Sequence, residues 1–420
     1  MGMTVTEKIL ARASGRDKVS PGEFLDCKVD LISTMDLQGN LVLNTLKKLG
    51  VSKVRSPEKV AIILDHQSPS HSVAMADIHK NIRTTAHELG ITNLYDVGTG
   101  IMHVILPEKG HILPGELVVM NESHTPTAGA MGAAVMGVGQ TDAAAVMALG
   151  EIWMMVPETI RINLVGELQK GVTTKDVALK LMSIFRYEEK AVYKTIEIGG
   201  PGLRTISMDG RFTLTNFCSD MGAKSAIIEP DEITLEYLQG RALRDYTPYY
   251  SDPDCTYSET YEINLNELEP LVACPHALDN VHPVTSVAGT KINQAHLGTC
   301  TNGRLEDIKA AAEIMKNQRV ALGVRFLVVP GSKEVYKKAM KLGYLEILSD
   351  AGAVIMSPGC GPCAGDHSGV LAADEICISS GNRNWKGRMG SKDSFVYLGS
   401  PETVAASAIH GVITDPRDFY

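Results

Sequence analysis

The chain has 420 residues, 44% hydrophobic and 21% charged, with 40 Lys and Arg against 49 Asp and Glu and a formal net charge of −9. That length predicts two or three domains, and the composition excludes a disordered, collagenous or coiled-coil chain. Duplex binding needs a basic face, so the acidic balance and the lack of a long Lys/Arg run exclude nucleic acid as the main partner.

The N-terminus lacks an apolar stretch of signal-peptide type, and a cytoplasmic protein is expected. Gly2 and Thr6 fit the loose myristoylation pattern, but no polybasic second signal follows. From there, short β-branched runs alternate with helical periodicity, the mark of an α/β fold with mostly parallel sheets. Residues 59–64 read as a buried strand that leads into Asp65 and His66, and 72–89 as a helix stopped by Gly90. A strand over 115–120 feeds the turn Asn121-Glu-Ser-His124. The small-apolar stretch 128–150 is broken by Gln140, Thr141 and Asp142, so no membrane span is expected. Within it, 129–139 predicts a tightly packed small-residue helix. Gly199-Gly-Pro-Gly202 lacks the spacing of either nucleotide-binding loop. Residues 240–261 read as a charged, Tyr-rich surface excursion before a linker at 275–283. Further strands are predicted over 292–298, 324–329, 353–356 and 375–379. The expected domains are 1–157, 158–284 and 285–420.

Ligands of parallel α/β sheets sit at the carboxyl ends of the strands. Asp65-His66, Glu122-Ser123-His124, Cys300, Cys360 with Cys363, and Asn382-Arg383 each follow a predicted strand. Of the eight cysteines, five stand alone and fit buried packing, and no disulfide framework is expected. Cys300 precedes a helix predicted over 305–315, with Thr301 or Asn302 as its N-cap, where the helix dipole favours a thiolate. On spacing alone, Cys360-Gly-Pro-Cys363 admits a redox dithiol, a zinc site or plain core thiols. A redox pair wants an aromatic neighbour, and zinc wants a fourth ligand, for which only His367 offers itself. Three thiolates, one distant and two in a CxxC, suit an iron–sulfur cluster with one iron free of protein thiolate. Such an iron is a Lewis acid for hydroxyl and carboxylate groups.

Among twelve histidines, His66, His103 and His124 stand out by position. A carboxylate beside an imidazole fixes its tautomer and raises its pKa, which suits protonation of a departing hydroxyl. Arg383 and Arg388 read either as a solvated basic turn or as guanidinium forks for carboxylates.

Three segments together, Leu297-Gly-Thr-Cys-Thr-Asn-Gly-Arg-Leu-Glu-Asp307, Pro358-Gly-Cys-Gly-Pro-Cys363 and Gly381-Asn-Arg-Asn-Trp-Lys-Gly-Arg-Met-Gly390, resemble the aconitase superfamily. The likeness is to large subunits of the 3-isopropylmalate dehydratase and homoaconitase type, and it runs from Asp30 to Pro416. It implies three α/β/α domains around one [4Fe–4S] cluster on Cys300, Cys360 and Cys363. It also implies a hydro-lyase for a small 2-hydroxy di- or tricarboxylate, of the kind used in leucine and related amino-acid biosynthesis. By the same resemblance, Asp65 and His66 protonate the leaving hydroxyl and His103 pairs with Glu122. His124 pairs with a carboxylate placed at Glu197, and Ser123 lies in the catalytic turn. Arg383 and Arg388 bind substrate, with Asn382 a neighbour of cluster or substrate.

The chain departs from that pattern in four places. Glu122 stands where Asp is usual, Pro126 where isopropylmalate and homoaconitate enzymes more often carry Cys, Met35 where His is common, and Ala128 is small. No Gly-Ser-Ser-Arg-type loop for the catalytic base occurs, so a separate small subunit with the swivelling domain is expected. The substrates expected are 3-isopropylmalate, then homoaconitate or homocitrate, then 2,3-dimethylmalate. A non-catalytic iron or redox sensor, which the Glu122 change permits, and a zinc-binding structural protein are the alternatives of another class.

Overall fold

The computed structural model describes residues 2–420. Strands without polar alternation are expected to lie inside a parallel sheet with both faces covered. Leu31–Met35, Val60–Ile63 and Leu117–Met120 are buried at every position. They form the centre of a five-stranded parallel sheet ordered Asn93–Tyr95, Val60–Ile63, Leu31–Met35, Leu117–Met120, Ala134–Gly137. The chain runs outward on one side of Leu31–Met35 and then crosses to the other. This places the topological switch point, where ligands of such sheets bind, beside the carboxyl ends that carry Asp36, Asp65 and Glu122.

A second sheet, ordered Ser225–Ile228, Thr195–Gly199, Thr159–Val165, Glu259–Asn264, is parallel throughout. The third has seven strands and is antiparallel only where Leu271–Ala273 meets Val281–Pro283 and Phe395–Leu398. Its parallel part carries Gln294–Leu297 between Arg325–Val328 and Ile376–Ser379. The α/β class with mostly parallel sheets is therefore as expected. The end of the expected linker, Val281–Pro283, is itself a strand and pairs with Leu271–Ala273 at the edge of the third sheet. Among the described residues, no helix is long and apolar enough to cross a membrane.

Helix Met208–Cys218 is buried along almost its whole length. Thr213 Oγ1 donates to Thr301 O at 2.9 Å and Thr215 Oγ1 to Thr127 O at 3.0 Å, so this helix ties the cysteine turn to the first sheet.

Two local expectations are corrected. Residues 129–139 are not one helix: a 3-10 turn over Thr125–Met131 ends at Gly132 (φ 74°), and Ala134–Gly137 is an edge strand. The small residues serve a close approach, because a Cβ on Gly129 would stand 1.8 Å from Ala226 O. Helix Leu305–Met315 is capped by Arg304, whose N–H donates to Asp307 Oδ2 at 2.8 Å, rather than by Thr301 or Asn302. The Asn302 amide instead donates to Asp307 Oδ1 at 2.9 Å.

Candidate active site

The three motif cysteines are brought together by tight turns after strands of the third sheet. After Gln294–Leu297 the backbone passes through Gly298 and Thr299, the latter in the left-handed region at φ 74°. This turns Cys300 inward, and Arg304 Nη1 holds the turn by donating to the carbonyls of Cys300 and Thr301 at 2.8 and 2.9 Å. Cys300 and Cys360 share a small buried apolar cluster with Ile101 and Val104. Cys363 lies in the one-turn 3-10 segment Gly361–Ala364, and its charge is felt by both other thiols.

Side-chain donors point at the sulfurs. The Asn216 and Asn382 amides donate to Cys300 Sγ at 3.2 and 3.5 Å, and Arg388 Nη2 to Cys363 Sγ at 3.6 Å. The expected depression of the Cys300 pKa by the helix end is overturned, since burial pushes that thiol up to about 12. Burial likewise holds Cys360 well above its ordinary value. At Cys363 burial is outweighed by the Arg388 guanidinium, and the thiol is lowered. Buried sulfurs with amide and guanidinium donors aimed at them fit a soft metal centre. His367, the fourth ligand a zinc site would want, instead places Nε2 2.9 Å from Pro69 O.

Asp65 and His66 follow the strand Val60–Ile63. Asp65 is buried; its Oδ2 accepts from Met102 N at 2.8 Å and its Oδ1 lies 2.7 Å from His66 Nδ1. The Asp65 carbonyl accepts from Cys360 N at 2.9 Å, and one ligand atom each of Asp65, His66 and Cys360 lies within 4.8 Å of the others. Burial pulls His66 down, yet the Cys360 and Asp65 charges and their hydrogen bonds raise it well above its ordinary value.

Glu122 follows Leu117–Met120 and serves two imidazoles. Its Oε2 lies 2.6 Å from His103 Nε2, and its Oε1 lies 3.4 Å from His124 Nδ1 and accepts from Ser123 Oγ at 3.0 Å. Burial alone would raise this carboxyl, but His103 and His124 hold it well below the usual range.

The expected pairing of His124 with Glu197 is corrected. His124 Nε2 lies 3.1 Å from Asp220 Oδ2, and the other Asp220 oxygen accepts from Arg383 Nε at 2.8 Å. Arg383 Nη2 then reaches Ser123 Oγ at 3.1 Å. Glu197 belongs to the second sheet, in register with Arg161 on the neighbouring strand. It accepts from Arg161 Nη1 at 2.5 Å, Tyr257 Oη at 2.8 Å and Ser251 Oγ at 3.1 Å. Asp220 and Asn216 were missed by sequence reasoning: neither sits in a recognisable motif, and only the course of helix Met208–Cys218 delivers them.

Segment 381–390 thus sends Asn382 to Cys300, Arg388 to Cys363, and Arg383 to Asp220 and Ser123. A cavity of about 360 Å³ opens beside Glu122 and Ser123, lined also by Gln38, Pro126, Val138 and Lys224. Carboxylate–imidazole pairs, guanidinium forks and three thiols joined by these contacts are equipped to bind a polycarboxylate and hand a proton to a departing group.

The sequence profile of the aconitase family (aconitate hydratase) matches residues 7–289 and 282–411. The chain is 46% identical to a probable 3-isopropylmalate dehydratase large subunit of Methanothermobacter thermautotrophicus, with 99% of each chain covered. It is also 46% identical to 3-isopropylmalate dehydratase large subunit 1 of Methanopyrus kandleri, over the whole of both. A probable methanogen homoaconitase large subunit of M. thermautotrophicus is 43% identical, over 99% of this chain and 98% of that one. Among solved structures, holo aconitase X of Thermococcus kodakaraensis shares the fold at a TM-score of 0.50 and 13% identity, covering 90% of this chain and 89% of that one.

Proposed function

The chain belongs to the aconitase family of iron–sulfur hydro-lyases, and from that premise we propose that it is the large subunit of a heteromeric dehydratase acting on 3-isopropylmalate. The observation that carries this reading is the convergence of the Asp65–His66, Glu122–His103 and Asp220–His124 pairs with Asn382, Arg383 and Arg388 around three buried thiols. Cys300, Cys360 and Cys363 would hold one [4Fe–4S] cluster, which when bound supplies a Lewis-acidic iron for the hydroxyl and a carboxylate.

The protein's own groups do the rest. His66, oriented by Asp65 at 2.7 Å, gives its proton to the departing hydroxyl. Arg383 and Arg388 bind substrate carboxylates, with Arg383 held in place by Asp220. Ser123 and the two imidazoles fixed by Glu122 orient the substrate in the cleft. The proton on carbon is removed by a base on a small subunit, in keeping with relatives that are named as large subunits. Eight free thiols suit a reducing, cytoplasmic compartment.

A homoaconitate-type tricarboxylate is the second reading. Lys224 and Gln38 in the cavity beside Ser123 offer polar partners to a longer acidic arm, and a homoaconitase-named relative stands at 43% identity. The test is anaerobic cluster reconstitution with the cognate small subunit, followed by a panel of 3-isopropylmalate, homocitrate and 2,3-dimethylmalate. Selective turnover of 3-isopropylmalate supports the proposal, and selective turnover of homocitrate replaces it with the second reading. A complex that holds a full cluster and turns over none of them would indicate a sensor.

A further inference from the structure

Lys175 takes an amine into the interior, where burial pulls its pKa down to about 7, and no step above uses it. It is the second residue of helix Thr174–Phe185 and is fully buried. Its Nζ donates to Ser380 O at 2.7 Å and Gly381 O at 2.6 Å, and lies 4.5 Å from the centre of the Phe217 ring. Two of these contacts lead to the cysteine turn. Gly381 precedes Asn382, and Phe217 follows Asn216, the two residues whose amides donate to Cys300 Sγ. The same two amide side chains also hydrogen-bond to each other.

Burying an ammonium is unfavourable unless its donors are satisfied. No carboxylate lies within ion-pair distance of Lys175 among the described residues, and its partners are two carbonyls and an aromatic face. A methionine would fill the same space for packing alone. What the two hydrogen bonds add is a fixed orientation for the peptide groups at 380–381, where strand Ile376–Ser379 ends and the segment carrying Asn382 and Arg383 begins.

We propose that Lys175 is a positioning residue: by clamping the Ser380 and Gly381 carbonyls, it sets Asn382 against Cys300 and Arg383 towards the substrate. The Arg383 half rests on the dehydratase reading, whereas the Asn382 half rests only on the cysteines holding a metal centre.

The test uses the full chain, assembled with its small subunit and reconstituted anaerobically, as wild type, Lys175→Met, Asn382→Ala and the double variant. The first readout is the rate at which the visible cluster absorbance bleaches under a chelator. Lys175→Met should bleach several-fold faster, about as fast as Asn382→Ala, and the double variant no faster than either single one. Multiplicative rates in the double variant, or wild-type bleaching in folded Lys175→Met, would overturn the clamp. The second readout is steady-state kinetics, where Lys175→Met should raise KM by about tenfold or more with a smaller fall in kcat. Lys175→Arg, which keeps a charge and several donors, should restore part of both losses, and no recovery in a folded Lys175→Arg protein contradicts orientation by hydrogen bonding. If Lys175→Met does not fold, Lys175→Arg takes its place in the cycle with the same criterion of non-additivity. Should wild type turn over no hydroxy acid, the dehydratase reading fails while the bleaching cycle still decides the role of Lys175.

Discussion

His124 takes its carboxylate from Asp220, 96 residues downstream and 3.1 Å away. The same carboxylate anchors Arg383 at 2.8 Å, so one buried group from the end of helix Met208–Cys218 orients both an imidazole of the first sheet's turn and a guanidinium of the third sheet. Asp220→Asn keeps the shape and removes the charge. A hydrogen bond to a charged group is worth about 1.5–3 kcal/mol, so KM for the hydroxy acid should rise by roughly tenfold to a hundredfold. Glu197→Gln, distant from this pair, should leave KM unchanged in the folded protein. Steady-state kinetics on both variants check the assignment.

Glu122 spans His103 and His124 at 2.6 and 3.4 Å. One carboxylate thus serves both rings. Glu122→Asp shortens the side chain by about a bond length, and misplacement of about 1 Å can cost around a hundredfold in rate. The expected outcome is a kcat reduced by one to two orders of magnitude. A gain in rate on introducing aspartate would instead mark Glu122 as a lesion in a decayed enzyme.

Stability carries a pH signature at Glu108, outside the cleft. Burial pushes this carboxyl up to about 7; its Oε1 accepts from Ser332 Oγ at 2.9 Å, while Oε2 has no partner. The folded chain then holds the proton more tightly than the unfolded one. The contribution is fully present below about pH 4.5 and is lost as pH rises through about 7. At 1.36 kcal/mol per pKa unit the loss is on the order of 3 kcal/mol. Glu108→Gln, which cannot ionise, should melt closer to wild type at pH 5 and above it at pH 8. Thermal melts of the full chain at the two pH values measure the difference.

The cluster assignment separates three cysteines from the remaining five. Cys363→Ser, which removes the sulfur held by Arg388, should lower iron and sulfide bound after reconstitution to a small fraction of wild type. Cys27→Ser and Cys377→Ser, buried in ordinary core positions, should retain both. Iron and sulfide analysis of anaerobic samples reads this directly.

Much of this arrangement was legible in the sequence because its signals are local. β-Branched runs marked Val60–Ile63 and Ile376–Ser379, and the polar residues just after them marked the cleft. The cysteine turns announced themselves through glycines and spacing. What was not legible depends on how elements cross. Glu197 was placed as the partner of His124 by the family resemblance, but it answers Arg161 one strand over. Asp220 has no local mark, since its role comes from where helix Met208–Cys218 lies against Thr125–Met131. Lys175 has no local mark either, since its role comes from the carbonyls at 380–381 that its helix is packed against. Gly129 was read as helix packing, whereas its need is for the backbone of Ala226.

The most direct test of the central claim is turnover of 3-isopropylmalate by the reconstituted chain with and without its small subunit, followed by absorbance of the unsaturated product. Turnover that requires both the loaded cluster and the small subunit, and that falls sharply in Cys360→Ser, is the predicted result. Full activity of the large chain alone would contradict the account, as would an assembled, cluster-loaded complex inert toward every hydroxy acid in the panel.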